Sequence, residues 1–314
     1  MNILYLDDLS RLSDTYMYQY YGDLYRELKS MSNVYLCGDR LTDINDILSK
    51  VKNIDFILFG LGYFARKDMA SYSKISGLSK LKIPKVAFIH KHQTMLEQKL
   101  NFCKINNFDL ILDSQITYNE YAKLAGTDGL RIWFSANPKI YRPRQLKKAF
   151  DIGFSGARHG DGKTLGPTLD IRDRVHKCLN KQNKYNIFWN GHNSPGDRIS
   201  SVEEYASTIN RCKMWLATTG PYQDVGPRFF EVILSKTLLV CNRMEYQYEG
   251  VFVDEKNCIM FENNLDHLIE KIDYYLKNDE ERNAIIENAY SDIVNNFTNR
   301  HMALKLLNYI KELR

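Results

Sequence analysis

The sequence predicts an α/β protein built from two doubly wound domains, on three observations. Short, continuous apolar runs alternate with longer segments of helical period. That alternation stops over residues 136–150 and then restarts. The length, 314 residues, is that of two ordinary domains. Continuous runs mark strands covered on both faces, which points to parallel sheets flanked by helices.

In chain order, NILYLDD (2–8) reads as a first strand, 15–30 as a helix and NVYLCG (33–38) as a second strand. A short helix near 43–51 leads to DFILFGLG (55–62), and PKVAFIH (84–90) and FDLILDS (108–114) follow as strands. Residues 117–125 read as helix and LRIWFS (130–135) as a sixth strand. The stretch ANPKIYRPRQLKKAF (136–150) has two prolines and five basic residues and reads as a linker. Beyond it come strands DIGFSG (151–156), NIFWNG (186–191), KMWLATTG (213–220) and TLLVCN (237–242), with a short one near 251–253 or 258–261. They alternate with helices over 169–182, 202–212 and 227–236, and 264–277, 279–296 and 300–313 form a helical tail. The implied domains are 1–142 and 151–298, joined by 143–150, with 299–314 crossing back to the first.

Composition narrows the function classes. The chain is 44% hydrophobic and 26% charged, ordinary globular usage. A net charge of +5, from 43 basic and 38 acidic residues, suits an anionic small molecule or a negatively charged membrane surface. It is too weak and scattered for nucleic acid. Six cysteines lie far apart with no CxxC pair, several within apolar runs, and read as buried thiols of a reducing compartment. No apolar run approaches the ~18–20 residues of a membrane span. The expectation is a cytoplasmic protein with, at most, peripheral membrane contact.

In open parallel sheets, ligands bind beyond the carboxyl ends of strands. That rule selects few segments here. In 151–174, a strand runs through Gly156 into a glycine-rich loop and a helix, with Arg158 and Arg172 to meet a phosphate. This is neither a P-loop nor a GxGxxG motif. In 218–236, Gly220, Tyr222 and Gly226-Pro227-Arg228 open a helix. Free N–H groups there would attract an anion, Arg228 would clamp a diphosphate, and Glu231 would accept from a ribose diol. Asn190-Gly191 ends another strand and could touch a nucleoside. His90, closing the fourth strand, is the side chain type suited to titrate near neutrality. Asp8, closing the first, is a candidate base or a helix cap. His90 and His92 form an HxH pair without an evident third ligand, so no metal site is expected.

The second half resembles the glycosyltransferase group 1 C-terminal domain, most closely its CgeB-like, spore-maturation branch. The likeness lies in DIGFSGAR (151–158), IFWNG (187–191), GPRFFEVILSKTLLV (226–240) and the tail with Tyr274-Tyr275-Leu276, Glu281-Arg282, Thr298 and Arg300. The first half is similar in layout only. The resemblance implies a GT-B fold, two Rossmann-like domains facing across a cleft. A nucleotide-sugar donor would lie on the C-terminal domain, and a UDP-sugar is favoured over a GDP-sugar because uridine is the commonest donor base. The acceptor, a glycan or a lipid- or protein-linked group, would lie on the N-terminal one. It implies that Glu231 holds the donor ribose, that Arg228 and the Gly156 loop face the diphosphate, and that no metal is needed. The sequence departs from the retaining pattern, because Gln223 stands where the Glu-x7-Glu pair would have its first glutamate. A nucleotide-sugar 2-epimerase and a non-catalytic nucleotide- or sugar-binding module of the same fold are the competing readings.

Overall fold

The computed structural model describes residues 1–12, 19–65, 75–157, 171–192, 199, 201–219, 225–244 and 250–313. They form two compact units, Met1–Trp133 with Asn299–Arg314, and Phe134–Thr298.

Unit 1 holds β1 (Asn2–Asp7), α1 (Gln19–Met31), β2 (Asn33–Gly38), α2 (Asn45–Leu48), β3 (Phe56–Phe59), β4 (Lys85–Phe88), α3 (Leu96–Ile105), β5 (Leu110–Asp113), α4 (Tyr118–Ala125) and β6 (Asp128–Arg131). The six strands are parallel, in the order β2-β1-β3-β4-β5-β6. The apolar runs lie in its interior, where Leu4, Leu6, Ile57, Phe59, Phe102, Phe108 and Ile111 form one cluster. The last helix of the chain packs on α1 and belongs to this unit.

Unit 2 holds β7 (Phe150–Ala157), α5 (Ile171–Gln182), β8 (Ile187–His192), α6 (Val202–Asn210), β9 (Cys212–Ala217), α7 (Arg228–Leu234), β10 (Leu238–Asn242), β11 (Ile259–Phe261), α8 (Leu268–Lys277) and α9 (Asp279–Asn296). α10 (Asn299–Glu312) then returns to unit 1. Its parallel sheet runs β11-β10-β9-β7-β8. Counted within each unit, the strand order is therefore the same, 2-1-3-4-5, with a sixth strand in unit 1. The chain reverses direction across each sheet at one point, between β1 and β3 and between β7 and β9. In open parallel sheets, this reversal is where ligands bind, at the carboxyl ends of the strands.

Three sequence expectations are corrected. The sixth strand is Asp128–Arg131, not 130–135, because its partner β5 ends at Asp113 and offers no further ladder. Helix α3 falls where no helix was expected, because Lys99 interrupts its core-facing stripe. That lysine is fully buried, its Nζ donating to the carbonyls of His90 (2.7 Å) and Lys91 (3.0 Å). The helix expected over 227–236 shortens to Arg228–Leu234, with Pro227 at its cap.

Candidate active site

At the carboxyl ends of β7 and β9, two arginines from separate helices converge. Arg172 lies in the first turn of α5, and its Nε donates to Thr218 Oγ1 at the end of β9 (2.8 Å). Arg228 opens α7, and its Nε donates to Tyr205 Oη on α6 (3.0 Å). Its guanidinium lies over Gly156: a Cβ on that glycine would come 3.0 Å from Arg228 Nη1 and 3.6 Å from its Cζ. A side chain at Gly156 would press on the Arg228 guanidinium and on the Phe154 ring. Burial, and then the charge of Arg228, lower the Arg172 pKa to about 10. Both groups remain cationic at neutral pH, two like charges held together in a partly desolvated crevice. That arrangement favours an anion which satisfies both.

Around them the strand ends are braced. Asn242, closing β10, accepts from the Thr219 amide (2.9 Å) and donates to Thr219 Oγ1 (3.0 Å) and Asn263 Oδ1 (3.1 Å). Asn190 Oδ1 accepts from Ser155 Oγ (3.3 Å), and Gly191 lies opposite Gly156 in the ladder. Trp189 stacks between Phe154 (4.3 Å) and His176 (4.2 Å).

Pro227 has helical backbone (φ −53°, ψ −29°), and its carbonyl accepts from the amides of Phe230 (2.9 Å) and Glu231 (3.0 Å). The Phe229 amide donates to Gly226 (3.3 Å). Of the amides expected to be free for an anion, those of Phe229, Phe230 and Glu231 thus have backbone acceptors. Positive charge at this corner comes from the arginine side chains. A Cβ on Gly226 would meet nothing within 4 Å. Glu231 lies one turn beyond Pro227 on the helix that carries Arg228, half-buried. Arg158, Gly220 and Tyr222 lie outside the described residues.

The corresponding point of unit 1 carries a buried acid instead of cations. Asp7, ending β1, is 0% exposed, and its Oδ1 accepts from the Asp8 amide (2.7 Å). Burial pushes its carboxyl up to about 8, against hydrogen bonds from the Asp8 and Gly62 amides and Tyr5 that favour the anion. A Cβ on Gly60 would come 2.2 Å from Asp7 Oδ2 and 2.4 Å from Tyr5 Oη, so only glycine fits. Asp8 caps a short 3-10 turn, Leu9–Arg11, accepting from the Ser10 amide (3.1 Å), Ser10 Oγ (2.6 Å) and Arg11 Nε (3.2 Å). Arg11 lies over the Tyr21 ring (5.1 Å), and Tyr21 meets His90 edge-on (5.7 Å). Asp8 and His90 are thereby gathered into one neighbourhood. Burial first, then the charges of Lys91, His92, Lys99 and Arg11, hold the His90 imidazole well below its usual range, neutral at physiological pH. Beside Asp8 a cavity of ≈ 530 Å³ opens, lined also by Ser10, Cys37, Asp39 and Arg40.

Sequence reasoning missed several of these groups. Thr218, Tyr205 and Asn242 position the arginines or the strand ends, and only the polar residues that interrupt or follow apolar runs hinted at them. His92 stands out in the sequence only as half of the HxH pair. Its Nε2 is 2.8 Å from Asp113 Oδ2 at the end of β5, and its ring stacks on Tyr121 (5.2 Å). The HxH spacing drew attention to His92, but its carboxylate partner is distant in sequence. Among the described residues, no group of three or more His, Cys, Asp or Glu side chains is arranged to hold a metal ion.

Two parallel, doubly wound units define the GT-B fold, and comparison with known proteins agrees. A family model described as "Glycosyl transferase-like" matches residues 166–308. No curated protein matches the chain. Among solved structures, HepE from Anabaena in complex with UDP and glucose superposes with a TM-score of 0.63 at 11% identity, covering 99% of both chains. Sucrose-phosphate synthase from Thermosynechococcus elongatus gives 0.63 at 12% identity, covering 100% of this chain and 99% of that one. A glycosyltransferase from Rickettsia africae gives 0.61 at 14% identity, covering 99% and 98%. At these identities the likeness establishes the fold. No described helix is long and apolar enough to cross a membrane.

Proposed function

We propose that this chain is a glycosyltransferase that moves a sugar from a nucleotide-diphosphate sugar, a UDP-sugar before a GDP-sugar, to a hydroxyl of a glycan or another acceptor. The observation that carries the reading is the pair of arginines at the carboxyl ends of β7 and β9, Arg228 lying over Gly156 and Arg172 close enough to feel its charge. The charge that develops on a departing diphosphate is the charge two fixed guanidinium groups stabilise most, and they need no metal to do so. HepE, which shares the fold, has been crystallised with UDP, UDP-glucose and glucose, which supports a uridine donor.

In this reading Glu231 accepts from the donor ribose, and Asn190, Gly191 and Gly226 border the nucleotide. Arg158, Gly220 and Tyr222 belong to the same donor set on sequence grounds. Acceptor recognition falls to unit 1, and His90, which stays neutral, is its acid–base or sugar-orienting group. Asp8 is already committed to Ser10 and Arg11, so as a base it would first have to release Arg11.

The test is donor turnover and binding together. Release of UDP from a panel of UDP-sugars, unchanged by a chelator, supports the transferase. Tight UDP binding with no turnover across the panel supports a binding module, and interconversion of C2 epimers supports an epimerase. Glu231→Ala is expected to weaken UDP about tenfold, the loss of one charge-assisted hydrogen bond, while leaving thermal unfolding of the free protein unchanged. Loss of the fold instead would make Glu231 structural.

A further inference from the structure

The opposite edge of the unit 1 sheet, where strands begin, carries a regular pattern of its own. The strands β3, β4, β5 and β6 are neighbours. The turns leading into them carry, in order, Lys50 and Lys52, Lys80 and Lys82, Lys104, and Lys123. All six lysines are exposed, and none makes a side-chain hydrogen bond or ion pair among the described residues.

Lys104 and Lys123 are each followed by an aliphatic residue in solvent, Ile105 at 60% exposure and Leu124 at 64%. These two end neighbouring helices, α3 and α4. Hydrogen bonds tie the turns together, the Asp128 amide donating to the Asp109 carbonyl (3.1 Å) and Asn107 Nδ2 to the Ser79 carbonyl (3.2 Å). Three acids lie on this edge, Asp109 and Asp128 exposed and Asp55 half-buried, and each accepts a hydrogen bond from the protein. Asp55 accepts the Asn2 amide (2.7 Å), Asp109 accepts the Lys85 amide (2.7 Å), and Asp128 accepts from Tyr309.

We propose that this edge is a docking surface for an anionic lipid bilayer, with Ile105 and Leu124 entering the headgroup region and the lysines paired with phosphate. Two isolated aliphatic tips among exposed lysines make too small an apolar core for a protein interface. A bilayer accepts single inserted side chains and adds a contribution for each lysine near its surface, roughly fivefold in binding. The edge lies at the other end of the strands from Asp8 and His90. Docking therefore recruits the protein to the surface without using those residues.

The test is co-sedimentation of the full chain with vesicles of phosphatidylcholine alone and of phosphatidylcholine with phosphatidylglycerol. Binding is expected only to the anionic vesicles, falling as salt rises. The variant Lys80→Gln/Lys82→Gln/Lys104→Gln/Lys123→Gln is expected to lose at least about tenfold, and Ile105→Ser/Leu124→Ser a smaller share. A control, Lys181→Gln/Lys256→Gln, exposed in unit 2, is expected to change nothing. UDP binding and melting temperature report that each variant is folded. No binding to anionic vesicles, binding equal on neutral ones, or binding that survives the lysine variant overturns the proposal.

Discussion

The carboxyl end of β1 and the carboxyl end of β7 occupy the same place in two sheets of the same strand order, and they are built oppositely. At β1, Tyr5 and Asp7 fill the space against Gly60 so fully that a methyl group has no room. The acid there is buried and holds its proton into the alkaline range. At β7, the groups nearest Gly156 are the Arg228 guanidinium from α7 and the Phe154 ring, with the Arg172 guanidinium from α5 close enough to feel the charge of Arg228. At the same topological point, the end of the first strand is filled by a buried carboxyl and a tyrosine in one unit and faced by cations in the other. Strand order decides where a site can be, and the residues at the strand ends decide whether it is one.

The largest expected effect separates the two crevices by charge. Arg172→Ala/Arg228→Ala should weaken UDP binding by at least about 100-fold in a calorimetric titration, since hydrogen bonds to charged groups contribute about 1.5–3 kcal/mol each. The free variant should melt no lower than the parent, because two repelling charges leave together. Unchanged affinity would remove the distinction drawn between the crevices.

Next comes the pH dependence of Asp7. Between the unfolded carboxyl value near 4 and the folded value of about 8, the folded state keeps a proton that the unfolded state has released. The folded chain then binds more protons, so this group's contribution to stability falls as pH rises through that window and is flat on either side. Asp7→Asn removes the slope, which is at most ~1.4 kcal/mol per pH unit. Relative to the parent, its denaturant midpoint should rise steadily from pH 5 to pH 8. A difference that does not vary with pH would place an ionised carboxylate at Asp7.

The smallest effect contrasts two glycines. Gly60→Ala must displace Asp7 or Tyr5 and should cost about 1–3 kcal/mol in chemical unfolding. Gly226→Ala, whose Cβ meets nothing, should stay within about 0.5 kcal/mol. Equal costs would mean that the first crevice is not sealed as described.

Most of the architecture was legible in the sequence, because runs such as NILYLD and LLVCN are buried on both faces and show no alternation. Helix α3 was not, since a buried lysine satisfied by two carbonyls looks like a surface residue in a string of letters. Of the site, Gly156, Arg172 and Arg228 could be proposed singly from strand ends and helix starts. Their meeting could not, because Arg172 finds Thr218 46 residues away and Arg228 finds Tyr205 on the helix before the preceding strand. Fewer amides are free after Gly226 than expected, since those of Phe229 and Phe230 bond within the turn. Whether a short helix's first turn has spare donors depends on backbone angles at Pro227 that the sequence does not fix to within a hydrogen bond.

A crystal structure of the protein with UDP tests the central claim most directly. The account predicts the diphosphate at the ends of β7 and β9, within hydrogen-bonding distance of Arg172 and Arg228. A diphosphate bound in unit 1, beside Asp7 or Asp8, or in unit 2 without contact to either arginine, would contradict it.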